Sequence, residues 1–456
     1  MNVQNPKGMK PGEARCPGPS TRDVILGDVT PTPAALLEES YTFLGDEDIS
    51  YDRYTSADFL QREMDRMWTR VWQWVCREED IPESGDHIVY DIGLYSFIIA
   101  RQEDGSVKAF YNSCLHRGTQ LRPTGAEGSA DQFRCPYHGW TWALDGTLTD
   151  LPCEWDFPHV DQEKFELPEV QVDHWNGFVF INMDPDCAPL EDYLGVLPEH
   201  FANWRIDDRV AVARTEKILP SNWKASQEAF LEAYHILETH PQALPYAGDA
   251  NAQYDTFGDH VSYFVQLLGS PSPHMADRIT EDDILEQMGG YPAGSTVPEG
   301  TTARHMIAEN MRKAVGEECG VDLSSYSDSE TLDSIEYFVF PNMFVFPGIK
   351  ISVVYRFRPN GMDPDSSIMD LMLMKPVPEE GPRPEPADVV KLDVWDSYTT
   401  VPALGGLGGV YDQDTANLDM QQKGFKAAKK RGQTLGNYQE VRTRHVHQVL
   451  DKYLAD

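Results

Sequence analysis

Leu60, Met64, Met67, Trp68 and Val71 stand at i, i+4, i+7, i+8 and i+11, a spacing that gathers them on one side of a helix. Thr55 or Ser56 can cap its start. The period then shortens. Residues 87–91, 96–101 and 107–112 alternate or run apolar in strand-length stretches, and Glu103-Asp104-Gly105 and Asp145-Gly146 are hairpin-turn sequences. Together they predict a compact antiparallel β domain over about residues 88–181. Past Pro185 both periods occur. A helical pattern covers about 222–240, with others near 281–288, 302–315, 387–399 and 412–430. Strand-like runs cover 337–346, 350–358 and 367–375, and the Pro-, Gly- and acid-rich stretch 270–300 reads as a long loop. Such an order implies an antiparallel sheet covered by helices, an α+β class rather than alternating βαβ units. The expected organisation is an irregular N-terminal extension (1–50), the β domain with its preceding helix (51–183) and a larger α+β domain (184–456).

Charge narrows what such a chain can bind. Its 456 residues carry 38 Lys+Arg against 74 Asp+Glu, a formal charge of −36. That balance argues against a nucleic-acid-binding face and against a polybasic membrane surface. No run approaches the roughly 18 apolar residues of a membrane helix, and residues 1–18 lack the apolar core of a secretion signal. A cytoplasmic location is expected. The acid excess is dispersed and mainly serves solubility. Seven cysteines, an odd number with no C-x-x-C among them, do not suggest a disulfide framework.

Two pairs of those cysteines and histidines change the picture. Cys114-Leu115-His116 is followed, after eighteen intervening residues, by Cys135-Pro136-Tyr137-His138. Each segment joins one thiolate donor to one imidazole, close enough to sit on one loop of the β domain. Thiolates on one iron and imidazoles on the other are the donor set of a Rieske [2Fe–2S] cluster. A Cys₂His₂ zinc site uses the same donors and is the competing reading, although zinc fingers pair Cys with Cys and His with His. Gly118 and Gly139 follow closely and allow tight turns.

A second set lies in the larger domain. On a helix beginning at Asn222-Trp223-Lys224, the residues Glu228, Glu232 and His235 share a face. His240 comes five positions after His235, so about 140° around a regular helix. If both bind one metal, the helix must distort at 236–240, and Pro241 favours that. Two histidines at this spacing are more often structural.

The runs Asn112-Ser-Cys114-Leu-His116-Arg-Gly118 and Arg134-Cys135-Pro-Tyr-His138-Gly-Trp140 closely resemble the cluster motif of Rieske non-haem iron oxygenases. More narrowly, residues from about 45 to 440 resemble the α (large) subunit of aromatic-ring-hydroxylating dioxygenases. The resemblance implies a helix-grip-like catalytic domain, a [2Fe–2S] Rieske cluster on Cys114, His116, Cys135 and His138, and mononuclear Fe(II) on His235, His240 and Asp414. Asp414 matches the family's distant carboxylate ligand, with Asp412 and Asp419 as local competitors. His235, His240 and Asp414 would form a 2-His-1-carboxylate triad that leaves positions open for O₂. Glu232 stands where the family usually has Asp, and would bridge a cluster histidine of one subunit to an iron-ligand histidine of the next.

The implied activity is that of a terminal oxygenase component that hydroxylates, and for a dioxygenase dihydroxylates, a small aromatic or other hydrophobic ring substrate with O₂. The alternative within the fold is a monooxygenase performing O- or N-demethylation or single hydroxylation. A Rieske electron carrier or a zinc-stabilised binding module are the readings from other classes. No G-x-G-x-x-G and no second cysteine cluster occurs, so electrons must come from NAD(P)H through a separate ferredoxin and/or flavoprotein reductase. The implied assembly is a homotrimer, or α₃β₃ with a small β subunit. Lys423, Lys426, Lys429, Lys430 and Arg431 form a basic patch that is either a helix's cationic end or a dock for an acidic ferredoxin. Phe230, Phe344 and Phe346 are candidates for a substrate pocket, though aromatics at such positions are more often core.

Overall fold

The computed structural model describes residues 8–455. The first seven residues of the expected N-terminal extension and the last residue of the larger domain lie outside them. The chain forms two compact units. The smaller is Leu60–Tyr193, with the short segment Pro359–Met362 grouped with it. The larger combines Leu194–Arg358 and Asp363–Ala455 with the N-terminal segment up to Phe59. The N-terminal segment therefore belongs to the larger unit. The boundaries fall at 59/60 and 193/194 rather than at 50/51 and 183/184.

The smaller unit opens with the predicted apolar stripe. The helix Ala57–Arg66 and the turn after it bury Leu60, Met64, Met67, Trp68 and Val71. Among the described residues the unit holds a seven-stranded antiparallel sheet, whose central strands are Asp86–Ile92, Tyr95–Arg101 and Val107–Tyr111. A second sheet of three short strands, Gln132–Arg134, Thr141–Ala143 and Leu148–Asp150, carries the Asp145-Gly146 hairpin. Phe110, Phe133, Trp140, Trp142 and Leu148 fill the core from which the Cys-His loops emerge.

The larger unit is built on an eight-stranded sheet among the described residues. Its strands are antiparallel except Val389–Leu392, which lies parallel to Arg209–Leu219 at one edge. The helix expected over 387–399 is therefore this edge strand followed by a 3₁₀ turn, Tyr398–Thr400. The β-branched pair Val389-Val390 suits an edge, where pairing to a long neighbour outweighs helical spacing. The run 337–346 divides into Ser334–Val339 and Met343–Val345, which pair across a tight turn. The stretch 270–300 contains the capped helix Glu281–Met288, and 412–430 is two helices, Leu407–Thr415 and Leu418–Ala427.

Charged groups in the sheet interior are paired. Asp370 accepts from Arg356 at 2.6 Å and Arg358 at 2.9 Å. Burial opposes its ionisation, but the two guanidiniums hold the carboxyl well below the usual range. Arg442, fully buried on the C-terminal helix Val441–Ala455, donates to Glu336 at 2.7 Å, to Ser262 Oγ at 3.1 Å and to the Leu231 carbonyl at 3.2 Å. Burial pushes the Glu336 carboxyl up to about 7 from 4.5, against the pull of Arg442 and the Tyr355 hydroxyl.

Removing one member of a buried pair strands the other, at a cost of about 3–5 kcal/mol. Arg442→Met is expected to lower unfolding free energy by that order in urea titrations. Because the folded-state pKa of Glu336 lies above its unfolded value, its contribution to stability is complete below pH 4.5 and is lost as pH rises through 7. Glu336→Gln lacks that loss. The stability difference between variant and wild type should therefore shift toward the variant across that window, measured by unfolding at a series of pH values.

Candidate metal centres

The two Cys-His segments of the smaller unit fold into matching turns. The Cys114 N–H donates to the Thr119 carbonyl at 2.8 Å, and Gly118 N–H donates back to the Cys114 carbonyl at 2.8 Å. In the other loop the Cys135 N–H donates to the Trp140 carbonyl at 2.8 Å, and Gly139 N–H donates to the Cys135 carbonyl at 3.1 Å. Gly118 at φ +76° and Gly139 at φ +80° close these turns in the left-handed region that side chains disfavour. The turns are equal in length, but histidine sits two residues after Cys114 and three after Cys135. Asn112 ties the first loop at both ends. Its amide donates to Ser96 Oγ and the Arg122 carbonyl, and its oxygen accepts from the Leu121 and Arg122 N–H groups.

The two histidines expected at the cluster lie together, and so do the two cysteines. The His116 and His138 rings lie 4.6 Å apart between centroids. His116 is stacked parallel on buried Trp140 at 5.0 Å, and its Nδ1 is buried with no hydrogen-bond partner. His138 is exposed, with the Tyr137 ring 3.8 Å away. Both thiols are free and buried. Burial, together with the neighbouring Cys135 thiol, pushes the Cys114 thiol up. The Cys114 thiol resists ionising without a compensating cation, and the buried His116 Nδ1 has no partner. A metal cluster would take both atoms as ligands.

In the larger unit the expected helix over 222–240 is broken. Asn222 caps a short helix, Trp223–Glu228, by accepting from the Lys224 N–H. The chain then leaves helical geometry at 229–235. There the Leu231 carbonyl is taken by Arg442 and the Ala233 N–H by the Tyr254 hydroxyl, at 2.9 Å. One further turn, Ile236–Thr239, follows before non-helical His240. The helix thus ends at 239/240, within the expected 236–240, and a further, unexpected break lies ahead of His235. It also separates the residues expected on one face. Glu228 turns to Tyr54, His447 and Gln433 in a buried cluster, while Glu232 accompanies His235.

His235, His240 and Asp414 converge, their ligand atoms all within 4.8 Å of one another, the one such group found among the described residues. Asp414 Oδ1 lies 2.6 Å from His240 Nε2 and 3.5 Å from His235 Nε2. The other nitrogen of each ring is also occupied. Glu232 Oε1 faces His235 Nδ1 at 2.9 Å, and its Oε2 accepts the His235 backbone N–H at 2.9 Å. Gln413 Oε1 faces His240 Nδ1 at 2.9 Å and accepts from Gln242 Nε2 at 2.8 Å. A neutral imidazole has only one N–H. With oxygen acceptors at both nitrogens, each ring must carry an extra proton or give its Nε2 lone pair to a cation. Burial opposes a charged His235, but Asp414 and Glu232 outweigh it and raise its pKa to about 10. The residues therefore fit a divalent metal with two imidazoles and one carboxylate.

The competing aspartates are engaged elsewhere. Asp412 accepts from Ser397 and from the Tyr398 N–H, and Asp419 pairs with Lys423. Phe230, Phe344 and Phe346 are buried in an aromatic cluster with Tyr355, Phe357 and Tyr411. A cavity of about 480 Å³ opens beside the metal-binding group, lined by Glu232, His235, Thr239, Asp414, Asn417 and Met420 among others and by none of those three phenylalanines. The basic patch is largely neutralised. Lys423 pairs with Asp419, Lys426 with Asp365 and Lys430 with Asp48. The anchors Gln413, Gln242 and Tyr254 were not legible from spacing. Only adjacency to Asp414 and to His240 marks the two glutamines.

Comparison with known proteins gives the family. Residues 71–162 match the family model of the Rieske [2Fe-2S] domain, and residues 199–456 that of the ring hydroxylating alpha subunit (catalytic domain). The carnitine monooxygenase oxygenase subunit of Escherichia coli (strain K12) is 34% identical over 192 residues, 41% of this chain and 50% of that protein. The large oxygenase component of the naphthalene 1,2-dioxygenase system of Pseudomonas putida is 31% identical over 220 residues, 46% of this chain and 45% of that one. The chain spans about half the length of the curated relatives it matches. In fold it is similar to naphthalene 1,2-dioxygenase with indole in its active site, at a TM-score of 0.63, 18% identity and coverage of 92% and 95%. It is equally similar to a quaternary ammonium Rieske monooxygenase, at 0.63, 19%, 89% and 95%. The catalytic-domain model alone matches more than half of the chain, which therefore belongs to the ring-hydroxylating α-subunit family of Rieske oxygenases, with the family's [2Fe–2S] cluster and mononuclear iron as its cofactors.

Proposed function

We propose that this chain is the terminal oxygenase component of a multi-protein system, acting on a small hydrophobic ring compound with O₂. Cys114, His116, Cys135 and His138 would hold the Rieske cluster, and His235, His240 and Asp414 the mononuclear iron. The single observation carrying the reading is the convergence of these three side chains, each imidazole anchored through its second nitrogen. When bound, the two groups would supply O₂ activation, with electrons passed from cluster to iron.

The chain's own residues prepare that chemistry. Asp414 supplies one negative charge against a divalent ion. Glu232 and Gln413 keep a proton on each Nδ1, so that each Nε2 lone pair faces the metal. The adjoining cavity gives a small substrate access to the open side. The chain has no dinucleotide fingerprint, so a separate ferredoxin and/or flavoprotein reductase would deliver electrons from NAD(P)H, which goes with a cytoplasmic location. No helix among the described residues is long and apolar enough to cross a membrane.

A homotrimer, or α₃β₃ with a small β subunit, suits the exposed apolar side chains at both centres. Tyr137 lies beside His138, Tyr234 and Leu237 are exposed within two residues of His235 in sequence, and exposed Met420 lines the cavity. In such an assembly Glu232, which lines the cavity, would be the carboxylate bridging the two centres of neighbouring subunits. Single-oxygen chemistry, including O- or N-demethylation of a polar substrate, is the second reading. It is favoured by the polar lining at Glu232, Thr239, Asn417 and Gln421, and by the likeness to the carnitine monooxygenase subunit.

Purified chain should hold about three irons and show the visible absorption and EPR signal of a Rieske cluster. Asp414→Asn should leave about two irons and an unchanged visible spectrum, whereas Cys135→Ser should lose the colour. A colourless zinc protein would overturn the assignment, and two irons in the wild type would leave a carrier. Glu232→Gln is expected to lower substrate-coupled O₂ consumption by about 10–100-fold with both metal contents retained, and Glu232→Asp by less. An unchanged coupled rate in Glu232→Gln removes the bridging role. Product analysis under ¹⁸O₂ separates a cis-diol from a single hydroxyl or a dealkylated product.

A further inference from the structure

The two histidines of the proposed iron site are not supported alike. His235 Nδ1 faces a carboxylate, Glu232 Oε1 at 2.9 Å. His240 Nδ1 faces a neutral amide, Gln413 Oε1 at 2.9 Å. Gln413 immediately precedes Asp414 on the helix Leu407–Thr415, so one helical turn supplies both a ligand and the support of another ligand. The amide is itself oriented. Gln242 Nε2, two residues beyond His240, donates to the same Gln413 Oε1 at 2.8 Å. That hydrogen bond holds the oxygen end of the Gln413 amide against the ring.

We infer that Gln413, oriented by Gln242, is a positioning residue that locks His240 in its Nδ1–H tautomer and makes it the weaker donor of the two imidazoles. The inference rests on the proposed iron site. A carboxylate draws the Nδ1 proton toward itself and raises the electron density of the ring, whereas an amide accepts the same hydrogen bond without that charge. The pair of anchors thus sets one imidazole as a strong donor and the other as a moderate one. Gln413 keeps total negative charge around the metal at Asp414 and Glu232 only. An apolar residue at 413 would free the ring to rotate and to adopt the tautomer that presents a proton to the metal.

The test uses Co(II) as a probe of the full chain in its native assembly, with the cluster's visible absorption as an internal measure of folding. Gln413→Leu is expected to weaken Co(II) binding by about 10–100-fold, read by competition with a chelator. Gln242→Leu should weaken it in the same direction and by less. Gln413→Glu should restore tight binding while shifting the Co(II) absorption bands and moving the iron potential to more negative values. That conservative rescue with an altered spectrum is the signature a purely structural role lacks. If Gln413→Leu does not fold, Gln413→Glu and Gln242→Leu still decide the matter by their spectra and affinities.

Wild-type affinity and unchanged bands in folded Gln413→Leu would overturn the inference. So would a Gln413→Glu variant indistinguishable from wild type. Asp414→Asn separates this failure from a failure of the site. Loss of Co(II) in Asp414→Asn with no effect at 413 refutes the inference alone. Co(II) binding insensitive to Asp414→Asn refutes the iron site and the inference with it.

Discussion

An imidazole offers one lone pair and one N–H, and the larger unit is arranged around that division. His235 and His240 can each serve a metal through Nε2 only if something accepts the proton on Nδ1. Glu232 and Gln413 do so, and Asp414 waits at the other end of both rings. Everything near the site follows from holding those two acceptors in place. Glu232 is held by also accepting the His235 backbone N–H, so side chain and main chain are fixed by one carboxylate. Gln413 is held by Gln242 and by its place on the same helix as Asp414.

The helical turn after His235 ends at His240, whose φ of −125° and ψ of 52° leave helical values, so His240 is not carried about 140° around from His235 as a continuous helix would carry it. Ahead of His235 the helix is also interrupted, at 229–235. The Leu231 carbonyl and the Ala233 N–H instead go to Arg442 and the Tyr254 hydroxyl, which come from the C-terminal helix and from a strand of the sheet. Glu228, left on the far side of the break, joins Tyr54 and His447 in a buried cluster that clamps the first helical segment against both termini of the unit. The buried pair Arg442–Glu336 therefore does more than neutralise a charge in the sheet. It anchors the backbone just ahead of His235, one of the candidate metal ligands.

Much of this was legible in the sequence, and for unequal reasons. The cluster residues announce themselves because an iron–sulfur centre needs particular side chains at close spacing, and Cys114-x-His116 with Cys135-x-x-His138 has few other readings. The strands of the smaller unit were legible as short apolar or alternating runs between turn sequences, although burial alternates only in part, as in Asp86–Ile92, and is continuous in Phe178–Asn182. The break ahead of His235 was not legible, since its causes, Tyr254 and Arg442, are remote in sequence and act through the backbone. Val389–Leu392 was misread as helical because the partner that makes it a strand lies some 175 residues earlier. Glu228 was placed with the metal ligands on helical spacing alone, a rule that ends where the helix does. Gln413 was passed over because an amide anchoring an imidazole leaves no periodic trace.

The lysines near the end of the helix Leu418–Ala427 bear on how the protein meets others. Lys423, Lys426 and Lys430 each pair with a carboxylate of the same chain, so they present little local positive charge, and the formal charge of the chain already counts them. With a formal charge of −36, the approaching partner meets a predominantly negative field. Collisions with an acidic carrier are then slowed by repulsion and quickened by added salt, while a basic carrier is drawn in and loses that advantage as the Debye length shrinks toward 8–10 Å at about 0.1–0.15 M. Ionic strength thus becomes one of the determinants of which charged proteins reach this one first.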